Sequence, residues 1–460
     1  MGTLNGILDG ARRALYTHQL ALGVTGHNID NVNTPGYHRQ RANLRASEPL
    51  PSMPGQIGTG VETLSVERYR SDHLNRQITT ENGLLGQAQM RSDGLALIET
   101  ILMEPDDQGL SSTLDRFWNA WQDLANEPES LAPRRVLLDT AEQLVARIRT
   151  SSDRLAASRD DLDSRVPTLV SSINQKGQEL AALNDRIQDS MSRGQQPNDL
   201  LDRRDALVDE LSTMGSVSVS EEADGQLRVI FGNLPIVEGV HHHALAVTTG
   251  TDPAGGVVQQ VVWARSGEAL NTSSGELGAL LELRDRTLPG YQDQLDHFTS
   301  GLVRGLNSVH RSGTDLDGRA GGLFFDPEGL TAATIGLALE PGRDEARLVA
   351  SADGGVGNGE LALRMSGLGD AILEELGGRS LNQVYGGLVV SIGQQASYAA
   401  SELDAQTTFL GNLEEQRQSL TGVNLDEEMT AMLIQQQAYQ AAGRVVATVD
   451  EMMQSLLALV

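Results

Sequence analysis

The chain has 460 residues, 39% of them hydrophobic but only 3% aromatic, with no cysteine and a formal net charge of −27. The missing cysteines exclude disulfides, thiol catalysis and thiolate metal sites. The acidity disfavours nucleic acid and anionic membrane surfaces, both of which demand a basic face. An aliphatic core of this kind suits interdigitating helices better than the aromatic-lined pocket of an enzyme. The length allows roughly two to four domains. No stretch approaches ~18 uninterrupted apolar residues, so no membrane insertion is expected. The start lacks a basic leader and a compact apolar run, so no cleaved signal peptide is expected.

The first segment reads as an amphipathic helix, with Leu4, Leu8, Ala11, Leu15, Leu22 and Ile29 recurring at steps of three, four and seven. Thr34-Pro35-Gly36-Tyr37 stops it, since Pro35 fixes φ and Gly36 supplies the positive φ of a type II turn. Asn28, Asp30, Asn31 and Asn33 ahead of the turn bond readily to their own backbone. Residues 45–66 hold Pro49, Pro51 and Pro54 and then an alternating Val61, Leu64, Val66 run, a short strand or hairpin. Helical patterning resumes at Asp72, passes Leu102, and returns from Ser112 to Asn126.

The longest helical signal lies between 132 and 193. Val166, Ile173, Leu180 and Ile187 occupy one heptad position and Leu162, Leu169 and Leu183 another, with Lys176 the polar exception. Such a repeat fits a coiled coil or a helical hairpin packed within one domain. Pro167 should kink or break the helix. From Gly215 the pattern changes: residues 216–268 alternate around Gly225, Gly232 and Gly239 like short antiparallel strands. A helix is expected from Gly275 to His310, then a Gly-rich and β-rich insert to about 380, then helix again from Ser380 almost to the end. Near that end Asn424 can cap a helix whose first turn holds Asp426, Glu427 and Glu428. If unbroken, that helix is ~54 Å long.

Both ends are therefore amphipathic helices. Their stripes are Leu4, Leu8, Leu15, Leu22 and Ile29, and Leu425, Met429, Met432, Leu433, Tyr439, Val446, Met453, Leu456 and Val460. Each Leu left in water forfeits roughly 1.5–3 kcal/mol, so the stripes must pack on each other, on the rest of the chain, or on other subunits. Residues 1–48 carry five arginines against three acids, whereas residues 421–460 carry five acids against Arg444. Opposite signs favour pairing of the two ends. The apolar run Leu456-Leu457-Ala458-Leu459-Val460 fits burial in an assembly or protection by a partner.

Three motifs carry a resemblance. Asn28-Ile29-Asp30-Asn31-Val32-Asn33-Thr34-Pro35-Gly36-Tyr37 resembles the N-terminal signature of the axial proteins of the bacterial flagellum, which are rod, hook and hook-associated. Val423-Asn424-Leu425-Asp426-Glu427-Glu428-Met429, continued through Gln435-Gln436-Gln437-Ala438-Tyr439-Gln440-Ala441, is similar to the matching C-terminal signature. Gly313-Thr314-Asp315-Leu316-Asp317-Gly318, with Gly321 and Phe324-Phe325, is similar to an internal motif of a hook-associated member. The three cover the chain in order. The resemblance implies an inner layer of terminal helices, outer domains from the middle, and a first ring of subunits at the hook–filament junction. It also implies hook protein on the proximal side, a second hook-associated protein on the distal side, and a cytosolic export chaperone on the C-terminal helix. Type III export without a cleaved leader, to an extracellular place in the flagellum, follows from the same resemblance. The family often carries an additional outer domain, for which 460 residues leave little room. A hook or rod component shares the terminal signatures, but hook-type outer domains should be nearly all β, unlike 132–193. An exported enzyme with flagellar-type ends is the remote alternative.

Chemistry finds no footing. His241-His242-His243 on a strand would point to alternate faces and converge poorly on one ion. Asp315-Leu316-Asp317-Gly318 is close to a calcium loop, but its first and twelfth positions would be Gly313 and Phe324. No catalytic residue, metal site or cofactor is therefore assigned. The expected fold is mixed and mainly α: a discontinuous terminal-helix coiled coil (1–50 and 421–460), a long-helix bundle (51–215, 269–325 and 381–420), and an inserted β-rich outer domain (216–268 and 326–380).

Overall fold

A computed structural model describes residues 2–52, 55–102, 109–222, 225–252 and 255–458. Helix α1 (Gly2–Asp30) ends where Thr34 N–H donates to the Asn31 carbonyl (2.9 Å) and Gly36 takes φ 77°. Strand β1 (Gln40–Ala46) pairs antiparallel with β4 (Val61–Arg68), and the short β2 (Leu50–Ser52) and β3 (Gly55–Ile57) form the tip of this hairpin. Four helices follow: α2 (Asp72–Leu102), α3 (Leu110–Asn126), α4 (Leu131–Ser192) and α5 (Asn198–Met214). An antiparallel meander comprises β5 (Val217–Glu221), β6 (Leu227–Phe231), β7 (Leu234–Glu238) and β8 (His241–His242). Beside it lies the hairpin of β9 (Leu245–Thr251) and β10 (Val257–Trp263). Helix α6 (Gly275–Glu282) runs through a π-helical turn (Leu283–Thr287) into α7 (Leu288–His310). Then come α8 (Glu360–Ser366), α9 (Leu381–Thr421) and α10 (Leu425–Ala458), so the fold is mainly α with small sheets, as expected.

The body of the molecule is organised around α4. Its heptad residues Val166, Ile173, Leu180 and Ile187 are buried within the chain, in one apolar cluster with Ile236, Val237, Leu245 and Trp263 of the strands. Side-chain amides splice the helix to the strands: Asn174 exchanges two hydrogen bonds with the Leu245 backbone, both 2.8 Å. Asn184 donates to the carbonyls of Leu227 (2.7 Å) and Gly239 (2.8 Å). Lys176, the polar member of the repeat, pairs with Glu210 of α5. The packing is thus intramolecular. Of the expected kink or break at Pro167, the break does not occur: α4 runs through it as one helix. A proline inside a helix costs about 3 kcal/mol, and burial of Val166, Leu169, Val170 and Ile173 around it offsets that cost.

The stretch 326–380 also departs from expectation. Among the described residues it contains no extended strand, only turns, two short 3₁₀ segments, α8 and isolated bridges. It packs into the same core as α3, α4 and α7 through Ala332, Ile335, Leu348, Ala362 and Met365. Glycines supplied the turns but no alternating pattern, and side chains satisfy the irregular backbone instead of a ladder. The fully buried His310 ties the segment before this loop to the loop itself: its Nδ1 lies 2.9 Å from the Gly322 carbonyl, and its Nε2 accepts from Val349 N–H (3.1 Å). That geometry fixes a neutral ring, and burial pushes its pKa down to about 4. Arg134, also buried, donates to the carbonyls of Pro128, Glu345 and Leu348. In the internal motif, Asp315 accepts from the N–H groups of Asp317 (3.0 Å) and Arg319 (2.8 Å). Gly313 sits where a Cβ would lie 2.3 Å from the Ser351 carbonyl. The motif is a close-packed turn of the body.

Candidate assembly site

Helices α1 and α10 pack against each other antiparallel, with Asn28 meeting Glu428 (3.0 Å) and His18 meeting Gln435 (2.7 Å). On α1 the seam follows a heptad of small and polar residues: Ala11, Ala14, His18, Ala21, Thr25 and Asn28 are buried or half-buried. On α10 the matching repeat is Glu428, Gln435, Ala442 and Val449. Small side chains let the helices approach closely, and the seam has a coiled-coil period.

The large apolar residues singled out from the sequence flank this seam. Leu4, Leu8, Leu15, Leu22 and Ile29 are half-buried, as are Met432, Val446 and Met453. Leu425, Met429, Leu433, Tyr439 and Leu456 are exposed, with Met429 and Leu433 each 57% accessible. Val460 lies outside the described residues. In all, α10 buries only Glu428, Ala442 and Val449 among its described residues.

At the top of the seam the two terminal signatures meet. Asn28, 1% exposed, uses its whole amide: it donates to the Gln40 carbonyl (2.9 Å) and Glu428 Oε2 (3.0 Å), and accepts from Gln40 N–H (2.9 Å) and the Tyr37 hydroxyl (2.8 Å). Arg39 pairs with Glu427 (2.7 Å) and Glu428 (2.6 Å), and its N–H donates to the Thr421 carbonyl (2.8 Å). Burial raises the Tyr37 pKa strongly, helped by the charges of Asp199, Asp202 and Glu428, so its hydroxyl remains a donor. Asn424 caps α10 as its position suggests, accepting from Asp426 N–H (3.0 Å) and Glu427 N–H (3.3 Å).

Beneath this contact runs a feature not singled out from the sequence. Asp199, Asp202, Asp205 and Asp209 share one face of α5 at helical spacing. Asp199 meets His27 (3.3 Å) and Gln40 (3.0 Å), and Asp202 meets His38 (2.8 Å) and Arg68 (2.7 Å). Asp205 meets Arg68 (2.7 Å) and Arg70 (3.2 Å), and Asp209 meets Arg417 (2.8 Å). Burial of Asp202 opposes its ionisation, but the His38 and Arg68 hydrogen bonds outweigh it and hold the carboxyl below its usual range. The spacing was the available signal. Aspartates on a helix face ordinarily read as solvated, and their partners here lie more than 130 positions away.

Among the described residues no group of three or more metal-ligating side chains converges, and no helix is long and apolar enough to cross a membrane. His242 is half-buried against Gly177.

Residues 95–325, half of the chain, match the family model described as the flagellar hook-associated protein FlgK helical domain. The chain belongs to the FlgK family. Residues 415–459 also match the model of the flagellar basal body rod FlgEFG protein C-terminal region, which here is the end of α9 and the whole of α10. Flagellar hook-associated protein 1 of Bacillus subtilis is 28% identical over 499 residues, spanning 98% of this chain and 97% of that one. The Escherichia coli protein of the same name is 24% identical, spanning 99% and 100%. The solved structure of the flagellar hook junction protein FlgK from Burkholderia pseudomallei matches with a TM-score of 0.66 at 16% identity, over 75% of this chain and all of that one. That likeness is one of fold. The matched helical domain runs from the end of α2 to just beyond α7, and the two terminal signatures lie outside it.

Proposed function

We propose that the chain is a structural subunit of the flagellar hook–filament junction, assembling with further copies of itself into a ring through the outward faces of α1 and α10. Hook protein on the proximal side and a second hook-associated protein on the distal side complete the contacts. The subunit is exported without a cleaved leader, and a cytosolic chaperone covers the C-terminal helix before assembly. Its role is mechanical, not catalytic.

One observation carries this reading: the α1–α10 seam is built mainly from small and polar residues, and Leu425, Met429 and Leu433 stay exposed along one face of α10. Burying each such side chain contributes about 1.5–3 kcal/mol, a gain that only another molecule can supply. The paired replacement Met429→Asp and Leu433→Asp should prevent incorporation into flagella while the purified monomer keeps its helical circular dichroism. Leu15→Asp, beside the seam on α1, should act in the same direction. Flagella that incorporate the paired variant normally would sink the proposal.

A further inference from the structure

Away from the terminal helices, the body carries a projection and a cleft that do not meet each other. The projection is the turn at 372–379. Its base is tied by hydrogen bonds from Leu373 N–H to the Arg379 carbonyl and from Gly378 N–H to the Leu373 carbonyl, both 3.1 Å. Gly377 and Gly378 close it at φ 66° and 77°. Leu376 and Leu373 brace it on α7, where a Cβ at Gly301 would lie 2.4 Å from Leu376 and one at Gly305 3.1 Å from Leu373. Ile372, Glu374 and Glu375 are left outward, and Ile372 is 71% exposed.

The cleft lies between α2, the π-helical turn and α9, with a volume of about 380 Å³, and is lined by Arg91, Leu95, Leu283, Thr287, Gln394 and Tyr398. Arg91 answers Glu282 (2.8 Å) and Glu402 (3.5 Å), so little net charge remains there in a chain of −27. Residues 82–90 of α2 and 381–401 of α9, which flank the cleft, contain no Asp, Glu, Lys or Arg. Arg286, one turn beyond Glu282, is exposed at the rim and makes no ion pair among the described residues.

We propose that the projection of one copy seats in the cleft of a second copy, with Ile372 against Leu95, Leu283 and Tyr398, and with Glu374 and Glu375 beside Arg286. This rests on the ring of subunits proposed above and names a contact of the body within it. The projection does not reach the cleft of its own chain, because the two are held about 20 Å apart along α7. Copies this acidic repel over most of their surface, and they meet where charge is low or complementary. The cleft supplies the low charge, and Arg286 complements the two glutamates. A projection and a cleft at different places on one chain make a head-to-tail contact, the kind that closes into a ring, not a two-fold dimer. One such contact is far smaller than the about 800 Å² per partner of a stable interface. It therefore forms only between copies that other contacts already hold side by side.

The chain has no cysteine, so two single-cysteine variants made in one cell, Ile372→Cys and Gln394→Cys, report only contacts between copies. Both positions are exposed, so neither replacement disturbs the core. Oxidation of purified flagella should join the two chains into a species of twice the mass, which neither variant gives alone. Glu374→Arg with Glu375→Arg in the Ile372→Cys chain should lower the yield at least about fivefold. Arg286→Glu in the Gln394→Cys chain should restore it. Flagella that hold both cysteine variants yet give no joined species would overturn this contact and leave the ring itself standing. A yield indifferent to the charge reversal would overturn it too. Failure of the ring reading has a different sign, normal incorporation of the Met429→Asp and Leu433→Asp pair.

Discussion

Helices α4 and α10 show heptad periodicity in the sequence, yet they use it in opposite ways. On α4 the repeat positions carry Val166, Ile173, Leu180 and Ile187, and all four are buried by strands and helices of the same chain. On α10 the inward repeat is Glu428, Gln435, Ala442 and Val449, while Leu425, Met429 and Leu433 face outward. A period of seven therefore locates a seam without saying which residues fill it. Large residues in the seam make a self-sufficient body; small ones in the seam and large ones beside it make a surface for other molecules.

The contrast is most exposed to failure at the body core. Leu144→Ala, at a site with no solvent exposure, should cost about 2–5 kcal/mol in urea unfolding of the monomer. A loss below that range would mean that the α4 core collapses around the gap. Acid should act next. The neutral, buried His310 binds fewer protons than its unfolded counterpart between pH 6.5 and about 4. The stability it contributes is complete above that window and falls as pH drops through it, by about 3 kcal/mol at pH 4. Urea midpoints of the parent and His310→Gln at pH 7 and pH 4.5 test this, since the variant should lose that part of the slope. Asn424→Ala removes the α10 cap and should cost about 1 kcal/mol, visible as faster hydrogen exchange at residues 425–430 only. Leu433→Ala should change monomer stability by no more than about 0.5 kcal/mol while weakening assembly. A larger effect on the monomer would place Leu433 in an internal contact and blur the contrast.

The helices were legible because their apolar spacing is long and regular: α2, α4 and α10 begin and end within a few residues of where pattern and caps put them. The seam between the ends was not, because hydrophobic spacing is drawn through Leu and Met. Thr25, Gln435 and Ala442 carry little apolar signal although they are buried or half-buried along the seam. The signatures pointed to their own meeting place, since Asn28, Tyr37 and Glu428 satisfy one another. The aspartates of α5 stayed silent for want of their partners. Residues 326–380 misled because glycine marks turns equally well between strands and in a loop held by His310, Arg134 and Asp315.

The bond between Asn28 and Glu428 joins residues 400 positions apart. At roughly 5–20 residues per second of synthesis, the first helix waits about 20–80 s for its partner to exist. The body is complete only once α9 has been made, and even then α1 has only half of its seam. The last part of the molecule to acquire structure is therefore formed from the first and last parts of the chain to be made.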